Sequence, residues 1–273
     1  MSTVLEQAKQ DHRGVGAFNV ILLEHAEAIV AGAEAAELPV ILQISQNCVA
    51  YHGALEPILA ATLAISRKAK VPAVVHLDHA EDEALVKEAV ELGVHSVMFD
   101  ASHDKYDENV RRTAAIAEFC HAAGVHIEAE LGEVGGKDGV HAPGARTDGR
   151  REGVRQGDRG GQPGGGGGQL ARDDGAHRRA GPGADRRSGA SVPVPLVLHG
   201  SSGVSDEQLA GAVHAGLVKV NISTHLNGLF TRAIREKLAA DEKLVDPRKY
   251  VAPGRGRWPK RWRGSFGCSA PSA

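Results

Sequence analysis

Val74-Val75-His76-Leu77-Asp78-His79 is the stretch that decides the fold. Val74, Val75 and Leu77 are apolar and favour extended backbone, Pro72 stands just before them, and polarity arrives abruptly at the end, so the run reads as a buried strand. Asp82 then offers an N-cap, and Leu85, Val86, Ala89 and Val90 recur at helical spacing on one face. Val94 to Phe99 is a second apolar strand, and it too ends on a carboxylate, Asp100. Two parallel strands joined by a crossover helix, each delivering ionisable groups at its C-terminal end, are what an enzyme site on an α/β scaffold requires. Asp78 and His79 are neighbours at a strand end, so their side chains are expected to diverge, one to bind a metal and the other to handle a proton. A polar pair that merely ends a strand reads the same within this segment, so the decision falls to the rest of the chain.

Working outward, the same unit repeats. Gly14 to Val20 is a short strand with Asn19 near its end, and a helix from about Glu24 to Ala36 puts Ala26, Ile29, Val30 and Ala33 on one face. Pro39 opens a strand from Val40 to Ser45, and a helix from about Ala54 to Ala69 leads back to Pro72. Beyond Asp100, Asp107 to Ala123 is helical and Val125 to Glu130 is a strand ending in Glu128 and Glu130. Strand and helix alternate through five units with no hairpin signal, which predicts a parallel sheet covered by helices. An open doubly wound sheet would show a G-x-G-x-x-G turn after its first strand, and none is present. Polar residues collect instead at the C-terminal strand ends, the pattern of a (β/α)8 TIM barrel.

From Gly149 to Ala190 the composition changes to glycine and arginine with almost no large apolar residue, too little to offset the entropy of ordering. This segment is predicted to be disordered, disrupting the sixth β/α unit of a barrel domain spanning residues 1–253. Ordered language returns at Ser191: Val192 to His199 is a buried strand followed by Gly200-Ser201-Ser202-Gly203. Ser205 to Gln208 is a capping-box start to a helix carrying Leu209, Ala212 and Val213. Leu217 to Ile222 is the last strand, with Asn221, Ser223 and Thr224 at its end and a helix to about Ala240 after it. Residues 254–273, with both tryptophans in a basic setting, read as an irregular tail.

The 273 residues suffice for one barrel-sized domain or two small ones. A formal net charge of -2 and a pI near 6.7 give no reason to expect nucleic acid or membrane as a partner. The Arg/Gly tract could bind RNA, yet it lacks the interleaved aromatics that such binding uses. Cys48, Cys120 and Cys268 have no metal-binding spacing, which suits a reducing cytoplasm, and neither a signal peptide nor a membrane span is visible.

His199 ends a strand as His79 does, so in one barrel both imidazoles would converge on the C-terminal mouth, where they could hold Zn2+. Two ligands are too few, and a third must be found. The loops Gly200 to Gly203 and Asn221 to Thr224 each precede a helix, and such loops after the last two strands of a barrel favour a phosphorylated substrate.

These residues also carry a resemblance. Gly16 to Val20, His76 to His79, Val97 to Asp100, Glu128 to Gly136, Val197 to Gly203 and Lys219 to Thr224, in that order, resemble the class II, metal-dependent ketose-bisphosphate aldolases, over about residues 1–148 and 191–253. The resemblance implies a TIM barrel and a cytoplasmic lyase of carbohydrate metabolism, active in glycolysis. Its reaction would be reversible aldol cleavage of fructose 1,6-bisphosphate to dihydroxyacetone phosphate and glyceraldehyde 3-phosphate through a zinc-stabilised enediolate, with tagatose 1,6-bisphosphate as the alternative substrate. It implies His79 and His199 as zinc ligands, Asp78 as proton donor to the aldehyde carbonyl, and Asp100 and Glu130 as holders of a second cation, divalent or monovalent. Gly200, Ser201, Ser202, Asn221, Ser223 and Thr224 would hold the dihydroxyacetone phosphate end, with Asn19 near the substrate, in a homo-oligomer, dimer or tetramer. The family's third zinc-binding histidine belongs to the sixth unit, where this chain has the Gly/Arg segment. That segment is expected to be a frame-shifted reading of the unit, which would leave a catalytically impaired aldolase-like protein.

Overall fold

The computed structural model describes residues 1–130, 162–164, 196–198, 206–214 and 216–256. Its strands are β1 (Val15–Asn19), β2 (Val40–Ser45), β3 (Ala73–Ala80), β4 (Ser96–Phe99), β5 (His126–Glu130), β6 (Gln162–Gly164), β7 (Leu196–Leu198) and β8 (Leu217–Ile222). They form a closed barrel in sequence order, every neighbouring pair parallel, with β8 returning to β1 through Val15↔Lys219 to Phe18↔Ile222. The helices are α1 (Ser2–Gln10), α2 (Leu23–Ala36), α3 (Gln46–His52), α4 (Glu56–Lys68), α5 (Glu83–Glu91), α6 (Tyr106–Ala122), α7 (Asp206–His214), α8 (Thr224–Ala240) and α9 (Pro247–Gly256).

The apolar runs explain the layers. β1 and β2 are buried along nearly their whole length because one face meets the barrel interior and the other meets helices. The larger core lies in that outer layer and includes Ile29, Leu42, Leu59, Val75, Val86, Val97, Phe99, Ile116 and Ile127. A smaller cluster of Val15, Ala17, Ile41, Val74 and Val218 sits near the strand starts, and Leu5 and Ala8 of α1 pack onto it. Helix α1, to which the sequence reading gave no role, thereby stops the end of the barrel remote from the strand termini. Among the described residues no single helix is long and apolar enough to cross a membrane.

Local signals mostly place the elements. The Asp82 side chain accepts a hydrogen bond from the Ala84 N–H at 2.8 Å and caps α5 as expected. Ser45 caps α3 in the same way through the Cys48 N–H at 3.2 Å, starting a short helix for which the sequence reading gave no element, and Gly53 ends it with φ 81°. Ala212 and Val213 are buried on α7 as predicted, while Ser205 lies outside the described residues.

Two elements fall where the sequence reading placed none. Within the segment read as disordered, Gln162–Gly164 forms β6, pairing with β5 from Glu128↔Gln162 to Glu130↔Gly164 and with β7 at Gly164↔Val197. Ladder hydrogen bonds come from the main chain, so a run with little apolar side chain can still close a ring whose neighbouring edges are otherwise unpaired. The rest of 149–190 lies outside the described residues. Helix α9 also runs past 253 to Gly256, and the Arg255 guanidinium reaches Glu27 of α2 at 3.0 Å. Gly254 is buried there, and a Cβ added to it would fall 2.5 Å from the Phe230 ring of α8. Gly254→Ala is therefore expected to cost about 1–3 kcal/mol through overpacking. An unchanged denaturation midpoint would show that α9 is not seated on α8 as described.

Candidate active site

Strand β3 is irregular where its polar residues begin. Leu77 pairs with Val97 and Ala80 with Phe99, so Asp78 and His79 together oppose Met98 alone, and His79 takes φ 48°. This is a bulge, which adds a residue and re-aims the side chains at a strand end. A regular strand would send adjacent side chains to opposite faces, and that divergence was the expectation. The bulge overrides it, and Asp78 and His79 line one cavity with Asn19, Ser45, Gln46, Asn47 and Glu81.

His79 faces the ends of the next two strands. Its Nδ1 lies 2.9 Å from Asp100 Oδ2 and 3.7 Å from Glu130 Oε2, and one ligand atom from each of the three groups lies within 4.8 Å of the others. Asp100 is fixed at its other oxygen, where Oδ1 accepts the Ser102 N–H at 3.1 Å and the Ser102 hydroxyl at 2.6 Å. Asn109 of α6 donates to the carbonyls of Ala101 and Glu130 at 2.8 and 3.2 Å, tying the ends of β4 and β5 together.

A second polar layer lies below. Residues two apart on a strand share a face, so His76, Glu128 and Lys219 occupy the same faces as Asp78, Glu130 and Asn221, one step nearer the strand starts. All three are wholly buried. Lys219 Nζ donates to Glu128 Oε2 at 2.8 Å and lies 3.1 Å from His76 Nε2, while His76 Nδ1 is 2.7 Å from Ser96 Oγ. Burial, and then the Lys219 ammonium, push His76 down to about 3 from its ordinary 6.5. In unfolded chain the imidazole regains its ordinary value and takes up a proton first as pH falls. This contribution to stability is therefore present above pH 6.5 and is lost between 6.5 and about 3, at up to about 1.4 kcal/mol per pH unit. Urea midpoints measured across that range should fall less steeply for His76→Gln, and equal slopes would contradict the buried neutral imidazole.

Of the residues singled out by sequence, His79, Asp100 and Glu130 come together, and Asp78 and Asn19 line a cavity with His79. Asn221 is buried on β8 beside Ala17 of β1, Ser223 is the N-cap of α8, and Thr224 is its first residue. His199, Gly200, Ser201 and Ser202 lie outside the described residues. Sequence reading did not nominate Ser102, Asn109, Lys219 or His76. Two signals were available: Asp100-Ala101-Ser102 is an ordinary aspartate turn, and His76-x-Asp78, Glu128-x-Glu130 and Lys219-x-Asn221 are the same polar pair on three strands.

Comparison with known proteins gives a consistent result. A family model described as fructose-bisphosphate aldolase class-II matches residues 1–155 and 185–266, and so passes over 156–184 while running beyond 253. A fructose-bisphosphate aldolase of Geobacillus stearothermophilus is 36% identical over 265 residues, covering 93% of this chain and 91% of that protein. A 6-phospho-5-dehydro-2-deoxy-D-gluconate aldolase of Shouchella clausii is 35% identical over 260 residues, covering 93% and 88%. The crystal structure of the YdjI aldolase from Escherichia coli K12 superposes with a TM-score of 0.77 at 27% identity, covering 95% of this chain and 92% of that one.

Proposed function

Because this chain belongs to the class II fructose-bisphosphate aldolase family, whose members are metal-dependent lyases, we propose that it cleaves fructose 1,6-bisphosphate reversibly into dihydroxyacetone phosphate and glyceraldehyde 3-phosphate. The observation that carries the reading is the meeting of Asp78, His79, Asp100 and Glu130 at the C-terminal ends of three adjacent strands. The charge balance supports a cation there. Among the described residues four carboxylates are buried, Asp78, Asp100, Glu128 and Glu130, against a single buried lysine that is already paired with Glu128. One imidazole and two carboxylates within reach of one point form a donor set that suits a divalent ion; we assign zinc to His79, with His199 as a further ligand, and a second cation, divalent or monovalent, to Asp100 and Glu130. Bound there, zinc would supply Lewis-acid polarisation of a ketone.

The chain's own groups do the rest. Asp78 handles the proton at the aldehyde oxygen, Asn19 orients substrate in the cavity, and Asn221, Ser223 and Thr224 with Gly200, Ser201 and Ser202 receive a phosphate at the start of α8. A helix of this length offers unpaired N–H groups there, and the Ser223 side chain makes no capping bond that would compete for them. Buried free thiols at Cys48 and Cys120 suit the cytoplasm. A homo-oligomer, dimer or tetramer, is part of the same proposal.

His79 donates through Nδ1 to Asp100, so Asp100→Asn should weaken zinc binding roughly 10- to 100-fold. Titration with a competing chelator reads this directly, and unchanged affinity would remove Asp100 from the site. The reading as a whole is tested by assaying the zinc-supplemented chain on fructose 1,6-bisphosphate, tagatose 1,6-bisphosphate and 6-phospho-5-dehydro-2-deoxy-D-gluconate. Preferred cleavage of the first supports it. Turnover of the third alone would move the assignment toward the Shouchella relative. Absence of any turnover would favour an impaired protein lacking its sixth-unit ligand, and sequencing the gene across 149–190 would then show whether an alternative frame restores a histidine.

A further inference from the structure

The lower polar layer lies outside the cavity lining yet touches the residue that the mechanism depends on. His76 Nε2 is 3.8 Å from Asp78 Oδ1, just beyond hydrogen-bond range. The same nitrogen is 3.1 Å from Lys219 Nζ. An ammonium has donors only, so Nε2 must accept. The ring's single proton then sits on Nδ1, where it is donated to Ser96 Oγ at 2.7 Å. Lys219 is itself held by Glu128, whose Oε2 lies 2.8 Å from Nζ and 3.9 Å from His76 Nε2, and His126, on the same strand as Glu128, adds to the lowering at the ring.

We propose that Lys219 is a positioning residue that locks His76 in its Nδ1–H tautomer and so keeps the histidine from binding Asp78 from below. In the opposite tautomer Nε2–H would point a donor at Asp78 Oδ1 and form a histidine–aspartate pair, giving the carboxylate a fixed partner on the side away from substrate. With Nε2 committed to Lys219, that claim on Asp78 is absent. The second nitrogen cannot contribute a donor by protonation either, because burial beside Lys219 keeps the ring neutral throughout the working range of the enzyme. The part of this proposal that concerns catalysis rests on the assignment of Asp78 as the proton-handling group, whereas the tautomer lock does not.

Nitrogen-15 correlation spectra of the full chain with labelled histidine test the lock, the His76 signals being identified by their loss in His76→Asn. The native chain should show an imine-type Nε2 and a protonated Nδ1. In Lys219→Met/Glu128→Leu, which removes both charges together and leaves no buried ion alone, the pattern should invert. In the zinc-supplemented protein kcat should fall on the order of tenfold with KM for fructose 1,6-bisphosphate nearly unchanged. A protonated Nε2 in the native chain overturns the proposal without any variant, as does an unaltered tautomer in the double variant. Inversion with kcat unchanged removes the link to Asp78. A chain with no aldolase activity at all would sink the proposed function while the spectra still decide the tautomer.

Discussion

Replacing Asp78 with asparagine should lower kcat by roughly 10²- to 10⁴-fold, the usual contribution of a positioned acid or base, and leave KM within a small factor of its original value. The reason lies in how little else the change disturbs. Asparagine has the same shape, and the side chain it replaces is only 4% exposed, so the packing around the bulge is kept. The groups that hold a cation, His79, Asp100 and Glu130, meet one another, Ser102 fixes Asp100, and Asn109 holds the main chain at Glu130. Substrate binding and zinc affinity should therefore survive while proton transfer does not. Steady-state kinetics of the zinc-supplemented variant reads the outcome, with chelator titration as the control. A kcat within about threefold of the native chain would mean that another group carries the proton.

Lys219→Met should be the most damaging single change to stability, at about 3–5 kcal/mol. Lys219 and Glu128 are both 0% exposed and 2.8 Å apart in the barrel interior, and removing the cation leaves a carboxylate that neither water nor a second lysine among the described residues can reach. The denaturation midpoint should drop by on the order of 10 °C. The paired replacement Lys219→Met/Glu128→Leu should recover most of that loss, because it removes the buried charge instead of orphaning it. A single variant as stable as the native chain would mean that water reaches Glu128, and the interior would not be dry.

How much of this could be read from sequence depends on which interactions set each feature. The alternation of strands and helices and the collection of polar residues at strand ends were legible, because periodicity and position are properties of neighbouring residues. The site pairing of His79 with Asp100 and Glu130 was anticipated only as a set of strand ends, and its distances depend on barrel closure. The bulge was not legible at all. Nothing in Leu77-Asp78-His79-Ala80 announces a positive φ at histidine, which appears only because β3 and β4 run out of register there. Lys219 was hidden for the opposite reason. A lysine in an apolar strand reads as pointing outward, and only a glutamate 91 positions away makes its burial tolerable. β6 was missed because composition governs side-chain burial, while a three-residue rung is held by main chain alone.

That rung also tells how the molecule is divided. Every described residue at the candidate site comes from the arc running from β8 through β1 to β5, or from the loops and helix N-termini on it. β6 meets β7 at one register pair, where β2 and β3 share six. Gln162–Gly164 thus works as a keystone and not as a wall: it completes the circle, while the described site residues stand on other strands. A sequence can drift far at such a place and still leave the working side of the ring in its original shape.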